Sequence, residues 1–307
     1  MTGVAGFIGS NYVHRALAAG REVVGVDAML AGSDPRNLAE LEGRKGFRFV
    51  HADTSDAASM RPLVRDADAV VHFAALSHVD QSIEDAGAFV RANVLGTQAL
   101  LEAVRRERPR ARFLLVSTDE VYGEAHEEAF TEATPVAPRN PYSATKAAAE
   151  HLAAAYANTH GLDIVVTRCS NNYGPRQDAS KFLPKAIVRL ARGEPVPVYG
   201  DGRHRRDWLH VDDHNDALDR VLASGKGGVW NIGTGVATEN LEMVRMIANA
   251  LGREPLVEHV PDRPGHDRVY RMDATKLARE LGWAPRTTLA DGIRDTVRWY
   301  LASGRAG

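Results

Sequence analysis

The sequence predicts an α/β fold: a doubly wound parallel sheet with a smaller C-terminal lobe. Three observations predict it. Short apolar runs alternate with longer helical patterns through the first half of the chain. The runs are apolar almost throughout instead of at every second residue, as in strands buried on both faces. Glycines at 3, 6 and 9 lead straight into the first helical run.

The elements follow in order. Ser10 to Ala19 reads as a helix closed by Gly20, a glycine suited to the residue after a helix C-cap. Val23 to Val26, Phe47 to Val50, Ala69 to Phe73, Phe113 to Ser117 and Ile164 to Thr167 read as buried parallel strands. Ala88 to Arg106 and Ser143 to Asn158 read as helices between them, and Asp56 and Asp273 as N-caps. After Asn172 the rhythm changes. Prolines gather at 175, 184, 195 and 197, then at 255, 261 and 264. This predicts one domain from 1–172 with about 207–235 returning to it, and a second lobe from 173–206 and 236–307. The glycine loop follows only Met1, where such a loop normally follows a central strand. The first strand is therefore expected to be truncated, leaving neighbouring strand edges exposed, and an upstream extension is expected to stabilise the sheet.

Bulk properties exclude several classes. The 307 residues include 38 Lys+Arg and 40 Asp+Glu, for a net charge of -2. No basic stripe marks a nucleic-acid surface. Cys169 is the single cysteine, so no intrachain disulfide forms. No apolar run approaches the ~20 residues that span a bilayer, and no signal-like leader opens the chain, so a cytoplasmic location is expected.

Gly3, Gly6 and Gly9 let the backbone turn tightly against a pyrophosphate, with the helix N-terminus offering free N–H groups. Their spacing is G-x-x-G-x-x-G. Asp27 ends the next apolar strand, where a carboxylate can accept from a ribose 2′-hydroxyl and would repel a 2′-phosphate. NAD is thus expected over NADP. Tyr142 and Lys146 lie four apart at the start of an alanine-rich helix, on one face. A nearby ammonium, with a nicotinamide cation, is expected to favour the phenolate and make Tyr142 a usable base. His204, His210 and His214 match no metal-ligand spacing, so no metal is expected.

These motifs resemble the extended branch of the short-chain dehydrogenase/reductases, with its Rossmann-like sheet, and within it the dTDP-glucose 4,6-dehydratase family. The resemblance rests on Gly3 to Gly9 with Phe7 and Ile8, Ala74 to Asp80, Ser117 to Gly123, Tyr142 to Lys146, Ser170 to Pro175, Arg206 to Trp208 and Asp262 to Asp267. It implies oxidation of a nucleotide-linked glucose at C4, loss of water across C5 and C6, and return of the hydrogen to C6. Tyr142 would take the 4-hydroxyl proton, Glu120 the C5 proton, and Asp119 would protonate the departing 6-hydroxyl, with Thr118 near the 4-oxygen. Asp119 and Glu120 set the sequence apart from epimerases of the branch. Both can face one sugar only if the chain leaves its strand at Thr118, because adjacent strand residues point to opposite faces.

The resemblance further implies cofactor contacts from Gly3, Gly6, Phe7, Ile8, Gly9, Asp27, Asp53, Thr54, Ala74, Ala75, Ser77, Asn93, Ser117, Tyr142, Lys146 and Asn172. It implies substrate contacts from Ser77, Thr118, Asn171, Lys181, Phe182, Pro197, Val198, Tyr199, Arg206, Asn231, Arg263 and His266, with Arg206 on the diphosphate. A homodimer through the helices near 88–106 and 143–158 is implied too. The sequence departs from the family pattern at Leu76 (usually Glu), at Gln81 (usually Arg), in Gln177 to Lys181 and after Asp27. These departures bear on cofactor contacts and nucleotide choice more than on reaction type. The other readings are an epimerase or decarboxylase of the same branch, a 4,6-dehydratase for another nucleotide sugar, and a non-catalytic NAD-sensing protein.

Overall fold

The computed structural model describes residues 1–125 and 128–306. The first half alternates as predicted: α1 (Phe7–Ala18), β1 (Val23–Asp27), β2 (Phe47–His51), α2 (Ala57–Val64), β3 (Ala69–His72), α3 (Val79–Glu84), α4 (Ala86–Phe89), α5 (Gly96–Glu107), β4 (Arg112–Thr118), α6 (Pro141–His160) and β5 (Ile164–Cys169). The second half holds β6 (Asn171–Tyr173), α7 (Phe182–Ala191), β7 (Val196–Tyr199), β8 (Arg205–His210), α8 (Val211–Ala223), β9 (Gly228–Ile232), β10 (Ala237–Glu239), α9 (Asn240–Leu251), β11 (Val257–Val260), α10 (Thr275–Leu281) and α11 (Leu289–Ala302).

β3, β4, β5 and β9 pair in parallel in that order, and β1 pairs with β2 beside them. β4 shows why the fold is doubly wound. Phe113 and Leu115 join α2, α5 and α6 in one core. Leu114 and Val116 point the other way, into a core with α1, α8 and α10. Alternation along a strand buried on both faces thus serves two helical layers, each fully buried Leu or Phe contributing about 1.5–3 kcal/mol. β2 departs from expectation. It is the outermost strand, and Phe49 is 39% exposed.

The gap expected at the first strand is bridged by Met1 to Gly3. The Met1 amino group donates to the carbonyl of Val24, and Val26 N–H donates to Met1 O, both at 2.8 Å. Thr2 N–H donates to Val71 O at 3.1 Å, and Phe73 N–H to Thr2 O at 3.3 Å. Thr2 is buried, so β1 and β3 do not face solvent at this point. A proton-ordered chain ties it further. Ala74 N–H donates to Thr2 Oγ1 (3.2 Å), which lies 2.7 Å from His72 Nδ1; His72 Nε2 lies 3.0 Å from Thr97 Oγ1, which donates to Asn93 O at 2.6 Å.

Other boundaries shift for local reasons. α1 begins at Phe7, three residues early, so Gly9 lies inside its first turn. Gly20 follows the C-cap Ala19 with φ +76°, as expected. Asp56 caps α2, whereas Asp273 sits one residue before the N-cap of α10 and accepts from Thr275 N–H at 2.7 Å. The single helix expected over 88–106 is α4 and α5 joined by a π-helical turn, Val90–Leu95. The Thr97 hydroxyl takes the Asn93 carbonyl there, which favours a bulge.

The second lobe packs α7, α9 and α11 against β7 and β8 around Leu183, Ile187, Met243, Ile247 and Val297. Its strands form two small sheets, β6-β8-β10 and β7-β11. Of the 207–235 stretch, β9 joins the large sheet, while β8 lies in the small sheet with β6. No described helix is long and apolar enough to cross a membrane.

Candidate active site

One cavity opens where the strand ends of the large sheet meet the second lobe. Gly3, Gly6, Phe7, Ile8, Gly9, Asp27, Asp53, Thr54, Ala74, Ala75, Ser77, Ser117 to Glu120, Tyr142, Lys146, Asn171, Asn172 and Lys181 all line it. Segments separated by more than 150 residues therefore converge as the sequence implied.

Gly3 and Gly9 are required by contact. Gly3 has φ +70°, and a Cβ there would stand 2.6 Å from Ala74 N. A Cβ on Gly9 would stand 2.2 Å from Gly3 O. Asp27 holds the loop: Oδ2 accepts from Ala5 N–H (2.9 Å), and Oδ1 from Met29 N–H (2.8 Å) and the Ser33 hydroxyl (2.7 Å). Three of its roughly four acceptor positions are used, leaving one for a ribose hydroxyl. Buried oxygens without partners also face the cavity from Ser117, Ser170, Asn171, Asn172 and Gln177. A glycine cradle, a carboxylate with spare capacity and a wall of unspent polar atoms fit a dinucleotide such as NAD.

β4 ends at Thr118, and a 3₁₀ turn over Asp119–Tyr122 begins there. Thr118 Oγ1 accepts from Glu120 N–H and donates to Asp119 Oδ1, both at 3.2 Å. This corner meets the geometric demand, and both carboxyls line one cavity. Burial, then Glu120 and Asp207, push the Asp119 carboxyl well above its ordinary range. Its Oδ2 is buried and unpartnered. Glu120 is also raised, chiefly by burial, but Arg263, a hydrogen bond from Asn140, Lys181 and Arg206 pull it back. Both carboxyls are thus raised, Asp119 the further, while Glu120 has cations and a hydrogen bond that oppose its rise; the two sites differ in the way an acid and base pair requires.

Tyr142 opens α6, whose capping box pairs Asn140 and Ser143. Its phenol is pushed well above 10, not lowered, because it is buried and faces Glu120, Cys169 and Asp119, with only a hydrogen bond to Thr118 opposing. Lys146 donates to Val116 O at 2.8 Å, and burial lowers its ammonium to about 8. The protein's own groups therefore hold Tyr142 as the phenol, so the ammonium does not favour the phenolate without the nicotinamide cation.

Other implied contacts lie beside the cavity or away from it. Asn93 is buried behind the wall. Its amide bonds both backbone groups of Leu76 and the Thr145 hydroxyl, so it positions the wall instead of touching a cofactor. Asn231 is fully buried, with its amide spent on the Tyr122 hydroxyl and Phe130 O, so it does not face a substrate. Val198 points into the second-lobe core, opposite its neighbours Pro197 and Tyr199, because strand residues alternate. Phe182 packs at 6.1 Å on Trp208 at the rim of that core. Arg206 is buried and makes no ion pair with Asp207, whose carboxylate is occupied by Thr234 and Gly235. His266 bonds Arg206, and Arg263 pairs with Asp80 at 3.3 Å.

The three histidines of 204–214 do not converge. His210 caps α8, while His214 is buried without a hydrogen-bond partner, neither solvated nor satisfied, and its ring is lowered to about 3. His204 instead joins Asp262 and His266, a set close enough to ligate a metal, in which Asp262 is already hydrogen-bonded to His266 and lies 3.2 Å from His204 Nε2. Asn140 is missing from the sequence-based expectations, and Asp80, His204 and Asp262 are given no site role there. The asparagine before Pro141 signals only a helix start, and the others come together from distant segments.

A family model described as GDP-mannose 4,6 dehydratase matches residues 1–296. The dTDP-glucose 4,6-dehydratase of Xanthomonas campestris pv. campestris (strain ATCC 33913) is 47% identical, over 99% of this chain and 93% of that protein. Low-salt glycan biosynthesis protein Agl12 of Haloferax volcanii is 49% identical, over 98% and 97%. Among solved structures, DesIV of Streptomyces venezuelae, a dTDP-glucose 4,6-dehydratase with NAD bound, matches with TM-score 0.95 at 42% identity, covering 98% of this chain and 96% of that one. A Thermus thermophilus UDP-glucose 4-epimerase with NAD matches with TM-score 0.91 at 34% identity over 98% of both. The fold is thus shared by dehydratases and epimerases. By extent and identity together, the chain belongs to the dTDP-glucose 4,6-dehydratase family of the extended short-chain dehydrogenase/reductases.

Proposed function

We propose that the protein is an NAD-dependent hydro-lyase that converts dTDP-glucose to dTDP-4-keto-6-deoxyglucose. The carrying observation is the pair of carboxyls at the Thr118 corner, raised unequally within one cavity that Tyr142 also lines. Relatives named for this reaction, and a solved one with NAD bound, support the choice of nucleotide and cofactor.

When bound, NAD supplies the acceptor for the C4 hydrogen and the donor that returns it to C6. The residues of the chain do the rest. Tyr142 takes the proton of the 4-hydroxyl, with Thr118 bonding near the same oxygen. Its phenol needs the positive charge of the cofactor beside it, since Lys146 alone does not lower it. Once C4 is a ketone, the C5 hydrogen becomes acidic and Glu120 removes it. Asp119, neutral and with a free oxygen, protonates the 6-hydroxyl as it leaves as water. Return of hydrogen to C6 and of the proton from Glu120 to C5 completes the product, and net transfer of the proton held by Tyr142 to Asp119 resets both groups for the next turnover.

The cofactor lobe is assigned to 1–172 and about 207–235, and the nucleotide-sugar lobe to 173–206 and 236–307. Arg206, Lys181, Arg263 and Tyr199 serve the nucleotide diphosphate. A homodimer through the 88–106 region is supported by Val90 and Leu95, 44% and 48% exposed; Leu95→Glu should then yield monomers in sedimentation.

The test is incubation with NAD and dTDP-glucose, reading the alkaline absorbance of a 4-keto-6-deoxy sugar. The unaltered enzyme should form it, and Glu120→Gln should bind NAD normally but form none. A product isomeric with the substrate would point to an epimerase, and equal activity in Glu120→Gln would remove its role as base.

A further inference from the structure

Arg206 ends on neutral acceptors. Nη1 donates to the carbonyls of Arg205 (2.9 Å) and Arg268 (3.2 Å), and Nη2 to the carbonyl of Asp267 (2.8 Å) and to His266 Nε2 (2.9 Å). The Tyr270 ring lies 4.4 Å from the guanidinium. Among the described residues no carboxylate pairs with it, whereas Arg263 has Asp80 and Arg268 has Asp201. A guanidinium fixed by neutral groups is oriented without being neutralised; its four Nη hydrogens are spent, so an incoming anion meets its charge and the remaining Nε–H.

This arrangement dictates the state of His266. Arginine has only N–H donors, so His266 Nε2 must accept and cannot carry a proton. The ring is then neutral with its proton on Nδ1, and Nδ1 lies 2.6 Å from Asp262 Oδ1. A carboxylate there selects that tautomer. The other oxygen of Asp262 lies 3.2 Å from Nε2 of His204. His204 is buried and stacks on His266, centroids 3.8 Å apart at 15°, which hinders rotation of the ring. A metal on Nδ1 would force the proton onto Nε2, against an arginine N–H. The hydrogen-bonded state and a metal-bound state therefore exclude one another.

We propose that Asp262 and His204 are positioning residues for the nucleotide diphosphate: they lock His266 as the Nδ1–H tautomer, whose Nε2 anchors an uncompensated Arg206. The inference rests on the reading above, in which Arg206 meets the diphosphate. Neither residue touches the reacting atoms.

The test uses NAD-loaded enzyme with ¹⁵N-labelled histidine, and dTDP as an unreactive probe. The ¹⁵N spectrum should show His266 protonated at Nδ1 and bare at Nε2, the resonance being assigned by its loss in His266→Gln. Asp262→Ala should weaken dTDP about tenfold, the value of one charge-assisted hydrogen bond. KM for the nucleotide sugar should rise in proportion, with kcat and NAD affinity little changed. Asp262→Asn keeps an oxygen that can accept from Nδ1 and should restore most of the affinity. A proton on Nε2, unchanged dTDP binding in Asp262→Ala, or a parallel loss of NAD and dTDP without rescue by Asn would each overturn the proposal. If the parent binds dTDP but does not convert dTDP-glucose, the proposed reaction fails; a wrong tautomer in an active enzyme defeats the positioning role alone.

Discussion

Replacing Asp119 with asparagine separates its two roles, as an acid and as a buried charge. Asparagine is nearly isosteric, and its Oδ1 can still accept from the Thr118 hydroxyl, now 3.2 Å away. What disappears is the transferable proton on Oδ2, which has no partner in the protein. General acid catalysis contributes about 10²–10⁴-fold, or about 3–5 kcal/mol of barrier, so kcat for 4-keto-6-deoxy product should fall by that factor. C4 oxidation and proton removal by Glu120 should survive. In D₂O, recovered dTDP-glucose should therefore carry deuterium at C5, whereas Glu120→Gln should leave it unlabelled.

Stability should move the opposite way. The Asp119 carboxyl is raised well above 3.8 by burial, then by Glu120 and Asp207. The native state thus holds this proton more tightly than the unfolded chain does. The resulting stability is fully present below about 3.8 and is lost as pH rises through the folded value. Asparagine does not titrate. Thermal midpoints of Asp119→Asn should exceed those of the parent increasingly as pH rises through that window, with no such widening below it. Undiminished product formation in Asp119→Asn, or a stability difference that does not change with pH, would refute the assignment of a neutral buried acid.

The remaining predictions concern the frame. Glu150 and Arg168 form a buried pair at 2.6 Å, so Glu150→Ala should cost about 3–5 kcal/mol in urea unfolding by stranding the arginine. Thr2→Val should cost about 1–3 kcal/mol in the same assay, because it leaves His72 Nδ1 and Ala74 N–H without the Thr2 hydroxyl. Gly9→Ala should weaken NAD at least about tenfold in a calorimetric titration, since its Cβ would meet Gly3 O at 2.2 Å and displace the cradle. Lys146→Met should abolish turnover. It should also remove a buried ammonium that is lowered to about 8, so the parent, not the variant, should gain stability as pH rises from about 8 toward 10.5.

Much of this was legible from residues alone, for definite reasons. The apolar runs that become β3, β4 and β5 are buried on both faces, which leaves a continuous signal in the sequence. The run that becomes β2 is grouped with them but lies at the sheet edge, and Arg48 in its middle is the one sign of an exposed face. The π-helical turn over Val90–Leu95 sits inside an unbroken helical pattern. Its cause is a hydroxyl taking a carbonyl four residues back. The corner at Thr118 followed from requiring two neighbouring carboxyls to face one ligand. That the side chains of Asn93, Val198 and Asn231 turn away from the cavity was not legible, because resemblance names positions but not the direction in which side chains point. The groups that hold Tyr142 as the phenol in the protein alone are not legible in the sequence, since i, i+4 spacing does not reveal that Lys146 is engaged with Val116 O and that carboxyls face the phenol. Asp80, Asp262 and His204 act through contacts between segments far apart in the chain.

The most direct measurement of the central claim is the fate of a single hydrogen. The enzyme, loaded with NAD, is given dTDP-glucose deuterated at C4, and the product is examined by mass spectrometry and proton NMR. The account predicts a product lighter by one water, with the deuterium retained in the C6 methyl group. Deuterium still at C4 of an isomeric sugar, or lost to solvent, would contradict it.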